Sequence, residues 1–292
     1  MVGERDILAL GDLDGSDILG MLMRAQELAA CWRARAMPQT LAGRRIALVV
    51  DDSGWRNTTA FDLGIQAMGG LCVHTPIRLN ATEAVEDLAA YLDNWFDAVV
   101  CRTPELELLY ALAHWAQAPV VNARTRQNHP CETLGDLAFL MHRRGTIDGL
   151  KIAVVAPAAN ILGSWIEAAQ MLPIEIVQVY PARWHAPGES PRFHVTTDLD
   201  ALQDVDVIIT DCWPRDDEAG AVQNYQITAA LLDRLRPDLD FLPCPPVTRG
   251  QEVSGDAMLH HACRSVQAKA FLLHAQNAAL EWVFGGDAGS IA

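Results

Sequence analysis

The chain has 292 residues, half of them hydrophobic and a fifth charged, with a formal net charge of −15. That length fills the cores of two ordinary domains, and the balance is that of a globular protein. The acidity excludes the basic face that nucleic-acid binding needs, but leaves room for a small anion, because a few arginines in one cleft dominate the field there. No apolar run reaches the roughly 18–20 residues that cross a bilayer. The opening MVGERDILALGDLDG carries acids early and lacks the basic-then-apolar order of a signal peptide, so a cytoplasmic protein with no membrane partner is expected. The cysteines Cys31, Cys72, Cys101, Cys131, Cys212, Cys244 and Cys263 are scattered, mostly in apolar segments. None lies in a CxxC or Cys/His cluster of zinc-site spacing, so no disulfide framework, metal or cofactor is expected.

Strand-like and helix-like segments alternate along the chain. Residues 44–50 (RRIALVV) read as a strand, 58–68 as a helix stopped by Gly69 and Gly70, and 71–75 as a strand. An amphipathic helix over 82–94, a strand over 98–101, a helix over 106–117, a strand over 119–122 and a helix over 133–143 follow. The second series has strands over 152–156, 174–179 and 205–210, a further strand beginning at 240–242, and helices over 159–171 and 227–234. Residues 181–194, rich in Pro, His and Arg, read as a surface loop, and 265–284 as a long helix. Strands separated by helical stretches of 10–15 residues predict parallel sheets flanked by helices, in an α/β fold. Two such series joined near 144–150 predict two domains.

Three segments carry chemistry. In the first, residues 52–59 (DSGWRNTT), a strand turns into a helix. A helix N-terminus offers unpaired N–H groups and a positive dipole end, Gly54 lets backbone approach a ligand, and Arg56 suits an oxyanion. The second is Asn128-His129-Pro130-Cys131-Glu132, where His129 is placed to polarise a carbonyl or move a proton, and Pro130 suits a first helical turn. The third is residues 241–246 (FLPCPP), a rigid turn around Cys244 in which a cis bond is open before each proline. Taken singly, each reads first as an ordinary turn or loop.

In this order and spacing the segments resemble the aspartate/ornithine carbamoyltransferases, the ornithine branch more closely. DILALGDLDGSDILGMLMRAQELAACWRA is similar to the family's first helical segment, and ATEAVEDLAAYLDNWFDAVVCRT to the stretch ending in a carbamoyl-binding arginine. APVVNARTRQNHPCETLGDL is similar to the His-Pro-x-Gln motif, the most specific match. APAANILGSWIEAA resembles the loop that opens the second domain, ITDCWP the Asp-x-Trp loop, and YQITAALLDRLRPDLDFLPCPPVTRGQEV the segment around His-Cys-Leu-Pro. The resemblance runs from about Ile7 to Phe284.

It implies a carbamoyl-phosphate-binding domain over 1–145, with the helix at 265–285 packing back on it, and an amino-acid-binding domain over 150–262. It also implies a homotrimer acting in amino-acid metabolism, which transfers a carbamoyl group from carbamoyl phosphate to a small amine or amino acid. The family's Ser-Thr-Arg-Thr-Arg becomes Gly54-Trp55-Arg56-Asn57-Thr58, keeping only the central arginine. Each charge-assisted bond lost there costs about 1.5–3 kcal/mol. Arg102 and His129 match the residues that contact the carbamoyl oxygen, and Glu132 stands where a glutamine accepts from the carbamoyl NH₂. That carboxylate adds a charge and suits an amidinium-like donor better. Asn160 and Asp211 match residues that hold the amino acid, and Cys244 the cysteine beside the attacking amine. Pro245, ahead of Pro246, takes the place of the leucine whose carbonyl is aimed by a cis proline. Arg215, Asp216 and Asp217 replace Ser-Met-Gly, which points away from ornithine as acceptor. The arginine the family carries before its last helix is missing, with Lys269 its nearest substitute in an alignment open by one residue. Two readings follow: a carbamoyltransferase acting on another amine, or a diverged member that serves binding or assembly or uses another acyl or amidino donor. A nucleotide-binding oxidoreductase lacks its fingerprint, since Pro157-Ala158-Ala159-Asn160 stands where glycines would.

Overall fold

The structure is a computed structural model that describes residues 5–50, 54–217 and 220–285. The chain forms two compact units, one running to Gly145 and resuming at Lys269, the other running from Thr146 to Ala268.

In chain order the first unit contains α1 (Gly15–Arg33), β1 (Arg45–Val50), α2 (Trp55–Ala67), β2 (Leu71–Thr75), α3 (Val85–Trp95), β3 (Ala98–Arg102), α4 (Leu106–Trp115), β4 (Val120–Arg124) and α5 (Pro130–Arg144). Its four strands are parallel in the order β2-β1-β3-β4. The strands β3 and β1 read as unbroken apolar runs because both of their faces are covered, whereas β2 lies at the edge with Leu71 and Val73 exposed. The chain leaves β1 toward β2 and then crosses back to β3, so the connections diverge between β1 and β3. In an open α/β sheet this switch point, at the carboxyl ends of the strands, is where ligands bind. Val50 pairs with Arg102 there, and the register shifts at Cys101/Arg102 as β3 meets β4.

The second unit contains β5 (Lys151–Val155), α6 (Asn160–Met171), β6 (Glu175–Val179), β7 (Phe193–Thr196), β8 (Val207–Thr210), α7 (Ala229–Leu232) and β9 (Asp240–Pro243). Its strands are parallel in the order β7-β6-β5-β8-β9, and the switch point lies between β5 and β8. The last two residues of the expected 181–194 loop belong to β7, whose Phe193 is buried and pairs with Ile176. The expected helix over 227–234 shortens to α7, started by Thr228, whose side chain accepts from the Leu231 N–H.

The last helix, α8 (Ser265–Val283), returns to the helices of the first unit. A Cβ on Gly135 of α5 would stand 3.0 Å from the Leu272 Cα, so a glycine is what lets α5 and α8 pack backbone to backbone. Arg24 of α1 grips Glu281 through two parallel bonds of 2.6 and 3.0 Å, and the Thr40 hydroxyl donates to the same carboxylate at 2.6 Å.

Candidate active site

In the first unit the site begins at the N-terminus of α2. Gly54 is its N-cap, and the first helical bond runs from the Thr58 N–H to the Gly54 carbonyl at 3.1 Å. The N–H groups of residues 55–57 precede that bond, have no helical carbonyl to meet, and sit at the positive dipole end. The guanidinium of Arg102, at the end of β3, lies against this turn. A Cβ on Gly54 would fall 2.5 Å from its Cζ and 2.6 Å from its Nε. The absence of a side chain at Gly54 therefore makes room for Arg102.

The other residues of the loop point different ways. Trp55 is 67% exposed, and the Arg56 guanidinium lies 4.9 Å from its ring centroid, so the indole does not fill the space beside the helix end. Asn57 turns inward, is buried, and donates to the Ala123 carbonyl at 3.2 Å. The Thr58 hydroxyl bonds back to the Gly54 carbonyl at 3.3 Å. Residues 51–53, the start of the segment singled out in the sequence, lie outside the described residues.

His129 is the N-cap of α5, followed by Pro130 at the first helical position. A buried polar frame holds the loop before it. The Thr125 hydroxyl and the Asn122 amide both donate to the Asn128 side-chain oxygen, at 2.8 and 2.7 Å. The Asn128 and Asn122 amides both reach the Leu8 carbonyl, at 3.0 and 2.8 Å. Burial pushes the His129 imidazole down to about 4, with the nearby charges of Arg102, Arg124 and Lys269 adding to the effect and Glu132 opposing it. His129 is thus neutral at pH 7 and has one ring N–H to donate.

One turn into α5, Glu132 lies 3.9 Å from the His129 Nε2 and forms an ion pair with Lys269 of α8. The same Lys269 ammonium meets Asp136, a further turn along α5, at 2.8 Å. Both carboxylates are buried. Burial, and then repulsion from Glu132, hold the Asp136 carboxyl above the ordinary range, with Lys269 pulling the other way. Lys269 thereby matches the carboxylate charge that the sequence left uncompensated at Glu132.

In the second unit the expected residues gather at its own switch point. Asn160 opens α6 just after β5, Asp211 follows β8, and Cys244 follows β9. The Cys244 N–H donates to the Thr210 carbonyl at 3.0 Å, which extends the β8–β9 ladder and sets Cys244 beside the start of the Asp211 loop. Asn160 and Cys244 are buried. The Asp211 carboxylate accepts from the Cys212 N–H at 2.8 Å. The Pro245–Pro246 bond is cis. In the loop after Asp211, Asp216 is taken up by Arg183 at 2.7 Å and by the Trp184 indole N–H at 3.3 Å. Asp217 accepts from the N–H groups of Ala221 and Val222 at 2.9 and 3.0 Å. No helix among the described residues is long and apolar enough to cross a membrane.

Comparison with known proteins bears on the family and the fold. Residues 5–142 match the aspartate/ornithine carbamoyltransferase carbamoyl-P binding domain, and residues 148–283 match the Asp/Orn binding domain of the same family. The ornithine carbamoyltransferase of Acinetobacter baumannii strain AYE is 30% identical over 296 residues, covering 96% of each chain. That of Desulfotalea psychrophila is 28% identical over 297 residues, covering 95% of this chain and 98% of its own. The solved ornithine carbamoyltransferase from Burkholderia thailandensis superposes with a TM-score of 0.91 at 27% identity, covering 97% of this chain and 99% of that one. The one from Pyrococcus furiosus gives 0.90 at 26% identity, covering 97% of each. With matched models spanning both units, the chain belongs to the aspartate/ornithine carbamoyltransferase family.

Proposed function

We propose that this protein is a transcarbamylase that uses carbamoyl phosphate and carbamoylates a small amine or amino acid other than ornithine. The observation that carries the reading is Arg102, laid against Gly54 beside the first N–H groups of α2. In the reaction the amine nitrogen attacks the carbamoyl carbon, a C–N bond forms, the C–O bond to phosphate breaks, and the amine proton leaves to phosphate or solvent. The barrier falls if the carbonyl is polarised and the leaving charge is matched. Arg102 and the ring N–H of neutral His129 serve the carbonyl oxygen. The amides of residues 55–57, with Arg56, serve the phosphate.

Glu132 accepts from the donor's NH₂. Its ion pair with Lys269 offsets the Glu132 charge, which favours a carbamoyl group over a cationic amidino group. Asn160, Asp211 and Cys244 hold the acceptor, and the Pro245 carbonyl receives a hydrogen bond from the donor. Asp216 and Asp217 are engaged by Arg183 and by loop amides, which supports an acceptor side chain different from that of ornithine. We further infer a cytoplasmic homotrimer. Its support is the family resemblance together with the edge strand β2, which leaves Leu71 and Val73 57% and 36% exposed.

The test is phosphate release from carbamoyl phosphate across a panel of amines and amino acids. Equimolar phosphate and carbamoylated amine, together with a higher Tm in millimolar phosphate, is the expected result. If no amine raises phosphate release above spontaneous breakdown, the reading fails.

A further inference from the structure

We propose that Asp62, Cys72 and His74 form a binding site for a zinc-class divalent cation, with a fourth coordination position open to solvent. The three side chains come from two neighbouring elements of the first unit. Cys72 and His74 are two residues apart on the edge strand β2 and so share a face. Asp62 projects from α2. One ligand atom from each lies within 4.8 Å of the others.

The spacing fits a shared ion. Ligand atoms about 2.0–2.2 Å from a shared tetrahedral zinc stand about 3.4 Å from each other. The His74 Nε2 and the Asp62 Oδ2 are 3.4 Å apart. The second oxygen of the carboxylate is already occupied: Gln66, one turn along α2, donates to Oδ1 at 2.6 Å. That bond orients the carboxylate with Oδ2 toward His74, as outer partners of metal ligands do.

The donor set is one thiol, one imidazole and one carboxylate. This mixture suits borderline ions such as zinc or cobalt and is poor for magnesium or calcium, which take oxygen. Half-exposed ligands and an exposed His74 leave a path for the ion and a place for water. On binding, the Cys72 thiol gives its proton to solvent and the thiolate bonds the ion. The ion would clip α2 to the edge strand, steadying the helix whose N-terminus forms the anion-binding turn. The site does not depend on the reaction proposed above. Cysteine and histidine spacing in the sequence did not reveal it, because its ligands are split between a helix and the next strand.

The test uses the full-length protein with cobalt chloride or zinc chloride alone. Cobalt is expected to bind at one equivalent with a thiolate-to-cobalt charge-transfer band, and zinc to displace it and raise Tm by several degrees. Cys72→Ser and His74→Ala should abolish the band, Gln66→Ala should weaken binding roughly 10-fold, and Cys31→Ser should change nothing. Asp62→Asn, close in shape to the native residue, covers the case in which another variant misfolds, and should weaken binding roughly 100-fold. Absence of cobalt binding, or a band that survives both Cys72→Ser and His74→Ala, overturns the proposal.

Discussion

At the carboxyl ends of its strands the first unit carries a buried run of charge: Arg102 against Gly54, then Glu132, Lys269 and Asp136 linked through one ammonium. At the same place the second unit carries Asn160, Asp211 and Cys244, and the acidic loop after Asp211 is satisfied by surface arginine, indole and backbone. In the first unit these residues come as matched sets. Gly54 leaves space that Arg102 takes, and Lys269 pairs with Glu132. In the second unit the polar groups are satisfied locally, one loop at a time. Substitutions in the first half should therefore be costly and coupled, and those in the second half cheap and separable.

The largest effect is expected at Lys269. Lys269→Met takes the shared ammonium away from two buried carboxylates, and losing one partner of a buried pair costs about 3–5 kcal/mol. Denaturant unfolding should show that loss. Adding Glu132→Gln and Asp136→Asn, which removes both carboxylates along with the ammonium, should recover most of it. Additive losses instead of recovery would mean the three residues are not one electrostatic unit.

Arg102→Met comes next. Removing a preorganised donor from an acyl-transfer site costs about 2.7–4 kcal/mol, or roughly 10²–10³ in kcat. Unchanged kcat in this variant would remove Arg102 from the catalytic assignment.

The pH dependence separates two groups of opposite sign. The imidazole of His129 is lowered from 6.5 to about 4, so the unfolded chain binds more protons between those values. The stability it contributes is present above 6.5 and is lost as pH falls toward 4, on the order of 3 kcal/mol in all. The carboxyl of Asp136 is raised above 3.8, so its contribution is lost as pH rises from there through its folded value. A Tm–pH profile of His129→Gln should be flatter on the acid side, and that of Asp136→Asn flatter above the ordinary carboxylate range. Identical profiles would break the assignment of either group.

Gly54→Ala tests the matched set at the turn. The new Cβ forces the Arg102 guanidinium away, an overpacking cost of about 1–3 kcal/mol. The expected readout is a weaker rise in Tm with phosphate and a higher KM for carbamoyl phosphate.

The sequence made the alternation of strands and helices legible, because each buried parallel strand is a short apolar run. It mislaid the starts of two helices. The apolar rhythm of α2 and α5 begins only near Thr58 and Thr133, whereas the helices begin at Trp55 and Pro130. Those first turns carry the residues assigned to the candidate site and lie outside the apolar rhythm, so rhythm alone misses them. β7 was hidden because its four residues bury only Phe193. The role of Lys269 was out of reach for another reason: a one-residue uncertainty in a helix swings a side chain by about 100°. Only its contacts with Glu132 and Asp136 resolve the register. The Asn122–Thr125–Asn128 frame beneath His129 left no motif, since its signal is burial and not spacing.

The smallest effect is expected in the second unit, at Asp216. Its pair with Arg183 joins side chains that are 61% and 63% exposed, and solvent screens such a pair to about 0–1 kcal/mol. Asp216→Ala should therefore leave Tm nearly unchanged and leave the KM for carbamoyl phosphate where it was. What it should change is the ranking of amine acceptors, because the substitution frees Arg183 and the Trp184 indole N–H beside the loop that follows Asp211. The amine panel run on the native chain and on this variant provides the measurement. A shifted acceptor ranking with an unshifted donor KM places specificity on that loop. If the donor KM moves as well, the two halves are coupled, and the contrast between a charge-matched donor half and a locally satisfied acceptor half no longer holds.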